Sequence, residues 1–286
     1  MSIKIENLSY SYRQHAGEKV DALKNVSCFI AAGDFVGIMG HTGCGKTTLI
    51  QLMAGLRSPI SGRIYINGED INAKSYDRNS LRQTVGVMFQ DPEYQLFATT
   101  VEKDVAFGLK YSGLSPQEVT ARVQWALATM GFDFEKVRFQ SPLALSGGEK
   151  RRVAIAGVIA TKPQILIFDE PIAGLDPYGR ENFLQFVSQM NKAGTTIIMV
   201  SHNMEALAEY TKHLLVLDKG RLIDSGPTRE VFARLKQRKN GSLGQTEAQR
   251  IATLLAEKDL VLSSAVVTYD DLLSALKQEL AGGALR

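Results

Sequence analysis

Residues 40–47 read Gly40-His41-Thr42-Gly43-Cys44-Gly45-Lys46-Thr47, the eight-residue pattern with glycine at each end of a loop, then lysine, then serine or threonine. The chemistry such a stretch can do is phosphate binding. Glycines let backbone N–H groups converge on phosphate oxygens, and a helix opening directly after the loop adds its unpaired N–H groups and positive dipole end. Lys46 is spaced to reach β- and γ-phosphates, and the Thr47 hydroxyl to ligate Mg²⁺. The apolar run 34–39 before the loop reads as a buried strand, and 48–54 after it, beginning at Thr48, reads as a helix, which is the context the motif requires. Outside that context the same residues would be a glycine-rich turn. Cys44, inside a loop of phosphate-directed N–H groups and beside Lys46, has reason to favour its thiolate and to react with maleimides unless a nucleotide shields it.

A second constellation lies downstream. Ile165-Leu166-Ile167-Phe168 ends in Asp169-Glu170, placing two carboxylates at the C-terminal end of a buried parallel strand, where open α/β sheets bind ligands. Neighbouring strand side chains point opposite ways, so one carboxylate can face a metal while the other faces a water. This assigns Asp169 to Mg²⁺ and Glu170 to polarising an attacking water as general base. Between the two constellations sits Leu145-Ser146-Gly147-Gly148-Glu149. A serine hydroxyl and glycine amides at the start of a helix expected over 149–160 make a second anion site built like the first.

With these elements in this order, the chain resembles the ATP-binding cassette (ABC) ATPases. The resemblance implies an α/β fold: a RecA-like parallel core, an antiparallel β subdomain beside the nucleotide, an α-helical subdomain, and here a short C-terminal helical extension. It implies ATP and Mg²⁺ as ligands, with Gly40 to Thr48 holding the phosphates and Thr47, Gln90 and Asp169 on the ion. Gln90 matches the glutamine that links the site to a transport partner, and His202, after the apolar run 197–200, matches the histidine that contacts the γ-phosphate. Asp176 matches the loop that crosses the dimer interface, and Tyr12 the aromatic that stacks on adenine, with Tyr10 a neighbour of the same strand parity and 14–19 an insertion that shifts the usual spacing. In the family two cassettes pack head to tail, so Ser146, Gly147, Gly148 and Glu149 would cap the ATP held by the partner.

The elements that must position these residues follow from the pattern. Ile3 and Ile5 alternate with Lys4 and Glu6, and the apolar stretch 26–30 follows, suggesting short antiparallel strands. Ser115, Pro116 and Glu118 open a helix expected over 115–130. Tyr94, Phe97, Phe107 and Tyr111 read either as packed core or as aromatic surface lining a groove for a membrane protein. Parallel strands are expected at 165–169, 196–200 and 214–217, and Gly220 marks a hairpin. We assign 1–236 to the nucleotide-binding domain, about 91–160 to its helical subdomain, and 237–286 to a linker and extension. The linker is the polar run 237–245. Beyond it, leucines at helical spacing predict two amphipathic helices that pack on their own domain or pair with another subunit.

Composition narrows the class. Thirty-three Lys and Arg against 30 Asp and Glu leave a net charge of +3, no argument for nucleic acid, and the basic stretch 229–239 reads as a solvated helix face. Two cysteines, Cys28 and Cys44, imply no disulfide framework. No apolar run has the length of a spanning helix, and residues 1–6 carry no signal-peptide core, so membrane contact is expected through partners, at the cytoplasmic face.

Four fragments refine the resemblance: 40–43, 89–97, 104–108 and 151–157 look like an energy-coupling-factor ATPase, of the kind that drives vitamin and metal uptake. His41-Thr42 and Arg151-Arg152 look more like the second of two paralogous ATPases in such complexes. This implies a heterodimer with the first paralogue, a membrane scaffold and a substrate-binding membrane subunit. Two departures are visible, Cys44 where serine is commoner and Ile172 where threonine is usual; neither removes a phosphate or metal ligand. The rival reading is the ATPase of an ordinary ABC importer. A tandem ribosomal type or a chromosome-maintenance type would carry a second phosphate loop or long heptads, which this chain lacks.

Overall fold

The computed structural model describes residues 1–13, 19–237, 244–258, 260–262 and 265–281. Most of the insertion expected at 14–19 (14–18), most of the expected linker (238–243) and the end of the basic stretch lie outside the described residues.

Strands β1 (Ile3–Arg13) and β2 (Lys19–Ile30) are followed by β3 (Phe35–Met39), α1 (Lys46–Met53), β4 (Ser61–Ile66), β5 (Glu69–Asp70), α2 (Arg78–Thr84) and β6 (Val85–Met88). A helical stretch then runs through α3 (Val101–Ala106), α4 (Pro116–Thr129), α5 (Phe134–Val137) and α6 (Gly147–Ile159). The chain continues as β7 (Ile165–Asp169), α7 (Pro177–Lys192), β8 (Thr196–Val200), α8 (Met204–Tyr210), β9 (His213–Asp218), β10 (Arg221–Pro227) and α9 (Thr228–Gln237), and ends with α10 (Glu247–Ala256) and α11 (Tyr269–Ala281).

Two sheets result. One is antiparallel in the order β2-β1-β4-β5; the other has the order β10-β9-β3-β8-β7-β6, parallel except for its edge strand β10. The continuous apolar runs are explained by burial on both faces of the parallel sheet. Phe35 and Met39 of β3, with Leu166 and Phe168 of β7, enter one core with α6, α7 and α8, while Val36, Ile38, Ile165 and Ile167 enter a second core shared with α1 and the antiparallel sheet.

Most expected elements are present, with three differences. The N-terminal strands are long rather than short, with 11 and 12 residues. Asn7 and Asn25, both at positive φ, break the alternation, and Asn7 N–H to Ser27 Oγ (2.8 Å) and Asn25 N–H to Ser9 Oγ (3.0 Å) carry the pairing across the register shifts. The second difference is the aromatic group: Tyr94 is 85% exposed, and Phe97, Phe107 and Tyr111 are exposed too, which removes the packed-core reading. Val101, Val105, Val123, Leu127 and Val153 fill that interior instead. The third is the extension, which packs on its own domain. Helices α10 and α11 share a small core of Ala248, Val266, Leu272 and Ala275. They are tied to their own chain by Gln249 Nε2 to Phe232 O (3.4 Å), Glu247 N–H to Glu205 Oε1 (2.8 Å) and the Arg229–Asp271 ion pair (2.9 Å). Leu254, Leu273 and Leu280 remain exposed. The turn at Lys219-Gly220, with φ of 47° and 79°, is the two-residue hairpin expected at Gly220. Among the described residues, no helix is long and apolar enough to cross a membrane.

Helix α4 begins as its sequence predicts: Ser115 Oγ accepts from Glu118 N–H (3.3 Å), the Glu118 carboxylate accepts from Ser115 N–H (2.8 Å), and Pro116 fills the first turn. Ser115→Ala should lower unfolding free energy by about 1 kcal/mol, visible as an earlier denaturation midpoint; an unshifted midpoint would show that the cap contributes nothing in solution.

Candidate functional site

The sheet order carries the site. Strands β3, β8, β7 and β6 are adjacent and parallel, so the segments following them emerge at one edge: the glycine loop after β3, His202 after β8, Glu170 after β7 and Gln90 after β6. They surround a cavity of about 520 Å³ lined by Tyr12, Thr42, Gly43, Gly45, Lys46, Thr47, Thr48, Gln90, Asp169, Glu170 and His202. Val20, Asp21 and Ala22 of β2 line it as well, which sequence reasoning missed. Their signal is the pairing of Tyr12 with Val20 and of Ser11 with Asp21, which no motif encodes.

The loop is built by steric exclusion as much as by hydrogen bonding. At Gly40 (φ +153°) a Cβ would collide with the Leu217 carbonyl oxygen of β9, and at Gly45 (φ +107°) with the Ala22 carbonyl oxygen of β2. Lys46 is buried, and its ammonium donates to the Gly40 (2.7 Å) and His41 (3.0 Å) carbonyl oxygens across the loop. Helix α1 opens with no side-chain cap and no acidic residue in its first turn, so its first N–H groups and its dipole are left for an anion. On the β1 side of the cavity, the Tyr12 hydroxyl lies 3.0 Å from Thr48 Oγ1. The Arg57 guanidinium, a residue sequence reasoning also missed, sits 4.9 Å from the Tyr12 ring centroid.

The carboxylates are placed differently from one another. Thr47 Oγ1 donates to Asp169 Oδ2 (2.9 Å), and burial pushes the Asp169 carboxyl above its ordinary range despite that bond. Glu170 has φ +50°, a left-handed conformation unfavourable for a residue with a Cβ, and its N–H donates to Val200 O (3.0 Å). Its Oε2 accepts from His202 N–H (3.3 Å), and Oε1 is buried without a hydrogen bond, 3.2 Å from His202 Nε2. Burial raises the Glu170 pKa, with His202 opposing the shift. Two desolvated carboxylates beside a threonine hydroxyl form an oxygen-rich, electron-rich corner that suits a hard cation completing its shell with phosphate and water. Among the described residues no cluster of three or more His, Cys, Asp or Glu offers an all-protein metal site.

Several expected site residues lie elsewhere. Gly40 and His41 contribute carbonyl oxygens to the Lys46 ammonium and do not line the cavity. Cys44 corrects the thiolate expectation: it is buried in the core beneath the loop, and desolvation raises its pKa in spite of Lys46. Ser146 to Glu149 lie apart from the cavity, at the start of α6. The Ser146 hydroxyl is already engaged, donating to Glu149 Oε2 (2.7 Å) within a capping box, while Gly147 and Gly148 face open space. Asp176 is exposed and caps α7 through Gly179 N–H (2.6 Å). A second cavity of about 530 Å³ between α8, α9 and the extension holds none of the motif residues.

A phosphate loop, paired carboxylates at the end of β7 two strands away and a Ser-Gly-Gly helix start, on a parallel sheet flanked by an antiparallel one, define an ATP-binding cassette. A family model described as ABC transporter matches residues 23–173. The energy-coupling factor transporter ATP-binding protein EcfA2 of Clostridium tetani is 44% identical over 271 residues, covering 94% of each chain. Among solved structures, cbiO1 of Clostridium perfringens, part of the ABC transporter complex cbiONQ, is 35% identical with a TM-score of 0.70, covering 90% of this chain and 96% of that one. A dimeric ATP-binding cassette in a post-hydrolysis state with ADP and Pi is 29% identical with a TM-score of 0.70, over 79% of this chain and 98% of that one. The chain belongs to the ABC transporter family, in its branch of energy-coupling factor ATP-binding subunits.

Because its thiol is buried and its pKa raised, Cys44 should resist maleimide at pH 7 with or without ATP, and labelling should grow only as pH rises beyond the usual thiol range or the chain unfolds. Rapid labelling at neutral pH that ATP suppresses would return the thiol to the cavity.

Proposed function

We propose that the chain is one of two paralogous ATPases of an energy-coupling-factor importer, packed head to tail with the other at the cytoplasmic face of the membrane. ATP hydrolysis there drives uptake of a vitamin or other micronutrient through a scaffold subunit and a substrate-binding membrane subunit. The observation that carries this reading is the complementary pair of anion sites: an uncapped α1 inside the nucleotide cavity, and Gly147 and Gly148 of α6 facing outward. One chain then offers a phosphate cradle and, elsewhere, the cap for another chain's phosphate. In this reading residues 1–236 form the nucleotide-binding domain, about 91–160 its helical subdomain carrying the exposed aromatics, and 237–286 the linker and extension.

Within the cavity, Lys46 exchanges the Gly40 and His41 carbonyl oxygens for β- and γ-phosphate oxygens, and the N–H groups of residues 43–48 complete the cradle. Tyr12 offers its ring to adenine. Thr47, Asp169 and Gln90 would hold Mg²⁺, whose chemistry is to neutralise charge on the phosphoryl group. Glu170, with Oε1 free of hydrogen bonds and its pKa raised by burial, takes a proton from the attacking water. His202, next to both Glu170 oxygens, would contact the γ-phosphate. Ser146 leaves its capping box to reach the partner's ATP with Gly147, Gly148 and the Glu149 helix start, and Asp176 lies across the dimer interface. Loss of the γ-phosphate removes what both halves grip, so the closed dimer opens.

Glu170→Gln should preserve ATP binding and slow hydrolysis by about 10²- to 10⁴-fold in the assembled complex; near-parental turnover would take the base role away from Glu170. Affinity purification from detergent-solubilised native membranes should recover a second, non-identical ATPase and an integral membrane scaffold. A homodimer on a two-fold symmetric permease would point instead to an ordinary importer, and recovery with ribosomes or DNA alone would overturn transport.

A further inference from the structure

Arg151 enters the sequence reading only as half of the Arg151-Arg152 pair, with no part in the site, yet it joins the Ser-Gly-Gly helix to the segment after Glu170. It stands on α6, two residues beyond Glu149. Its Nη1 donates to the Ala173 carbonyl oxygen (3.1 Å) and its Nη2 to the Pro171 carbonyl oxygen, so the guanidinium fork spans the segment between Glu170 and Asp176. The Glu93 and Asp91 carboxylates, just beyond Gln90, stabilise its charge against the cost of burial. Arg151 Nε and Glu93 Oε2 are both buried without a hydrogen bond, so these two atoms do not bridge each other.

The segment it grips needs holding. Glu170 adopts φ +50°, and a left-handed glutamate persists only where its surroundings over-determine it. Three restraints act there: Glu170 N–H on Val200 O (3.0 Å), Ala173 N–H on Glu170 O (3.3 Å), and the Arg151 fork on the carbonyls of Pro171 and Ala173. The second is short-range, and the first ties the strand end to β8, while His202 N–H holds the Glu170 carboxylate (3.3 Å). The third reaches from α6, the helix whose N-terminus faces outward at Gly147 and Gly148, and it holds the backbone after Glu170. Four residues, about one helical turn, separate Gly147 from Arg151, so a displacement of the helix start is carried to the fork as a rigid movement.

We propose that Arg151 is a positioning residue for ATP hydrolysis: it fixes the backbone that follows Glu170 to the Ser-Gly-Gly helix, so that the general base of this chain's site is aligned by the helix that caps its partner's ATP. This deepens the reading given above and rests on its assignment of Glu170. A lysine cannot replace the fork, because a single ammonium on a flexible stem lacks the planar geometry that bridges two carbonyls at once.

The test is a double-mutant cycle in the assembled complex, with single-turnover hydrolysis and ATP affinity measured side by side. Arg151→Gln should lower the hydrolysis rate about 10- to 100-fold, the scale of a small misplacement of a reacting group, with ATP affinity of the isolated chain within about twofold of the parent. Arg151→Lys should fall between the two. In the Glu170→Gln background, Arg151→Gln should cost less than about twofold further, because its route to the chemistry is already gone. A parental rate in Arg151→Gln while Glu170→Gln alone is slow overturns the link and leaves the base assignment standing. A full multiplicative loss in the double variant also overturns it, marking Arg151 as generally structural. Near-parental turnover in Glu170→Gln alone overturns the base assignment and this proposal together. If Arg151→Gln does not assemble, Arg151→Lys is read through the same cycle.

Discussion

The parallel pairing of β3, β8, β7 and β6 is the constraint on which the rest of the molecule depends. Four sequence segments separated by tens of residues become neighbours only because their strands lie side by side and run the same way. Their carboxyl ends then open onto one edge, where the sheet leaves room for a ligand. The strands are short and apolar on both faces, so they can form only if both faces are covered. The two cores that cover them also fix the heights at which Lys46, Asp169, Glu170 and His202 stand.

Within that frame, two helix starts show how the same physics serves opposite ends. Helix α1 is preceded by Gly45 in a left-handed conformation with no side-chain cap, so its donors are free inside the cavity. Helix α6 is preceded by Ser146 and closed by a reciprocal capping box, yet its first two residues are glycines with open space around them. A capping box satisfies two donors of the first turn. The remaining donors at Gly147 and Gly148 stay approachable because no side chain covers them.

The carboxylate end stores strain and charge together. Asp169 and Glu170 are both pushed toward protonation by burial, and each is restrained by a neighbour from another element, Thr47 of α1 for the first and His202 after β8 for the second. The left-handed turn at Glu170 sends the chain directly into the segment that Arg151 holds. Restraints of this kind on the carboxylates limit the reorganisation needed when charge develops in the transition state.

The sequence by itself determined the elements and the chemistry wherever function is written in local spacing. The glycine loop before a helix, the apolar run ending in two acids, the cap at Ser115 and the turn at Gly220 each require only residues within a few positions of one another, and each is found in the expected form. Tertiary structure decided whatever depends on the far side of a contact. The Cys44 thiol turned inward because the core beneath the loop had room for it, and a loop pattern says nothing of what lies below. Tyr94 and Phe107 turned outward because aliphatic residues from three other helices had filled the interior. Polar residues at bulges hid the length of β1 and β2, since their hydrogen bonds run to the partner strand. Arg151 read as one of two adjacent arginines on a helix, because the carbonyls it holds are 20 and 22 residues away along the chain and only packing brings them within reach.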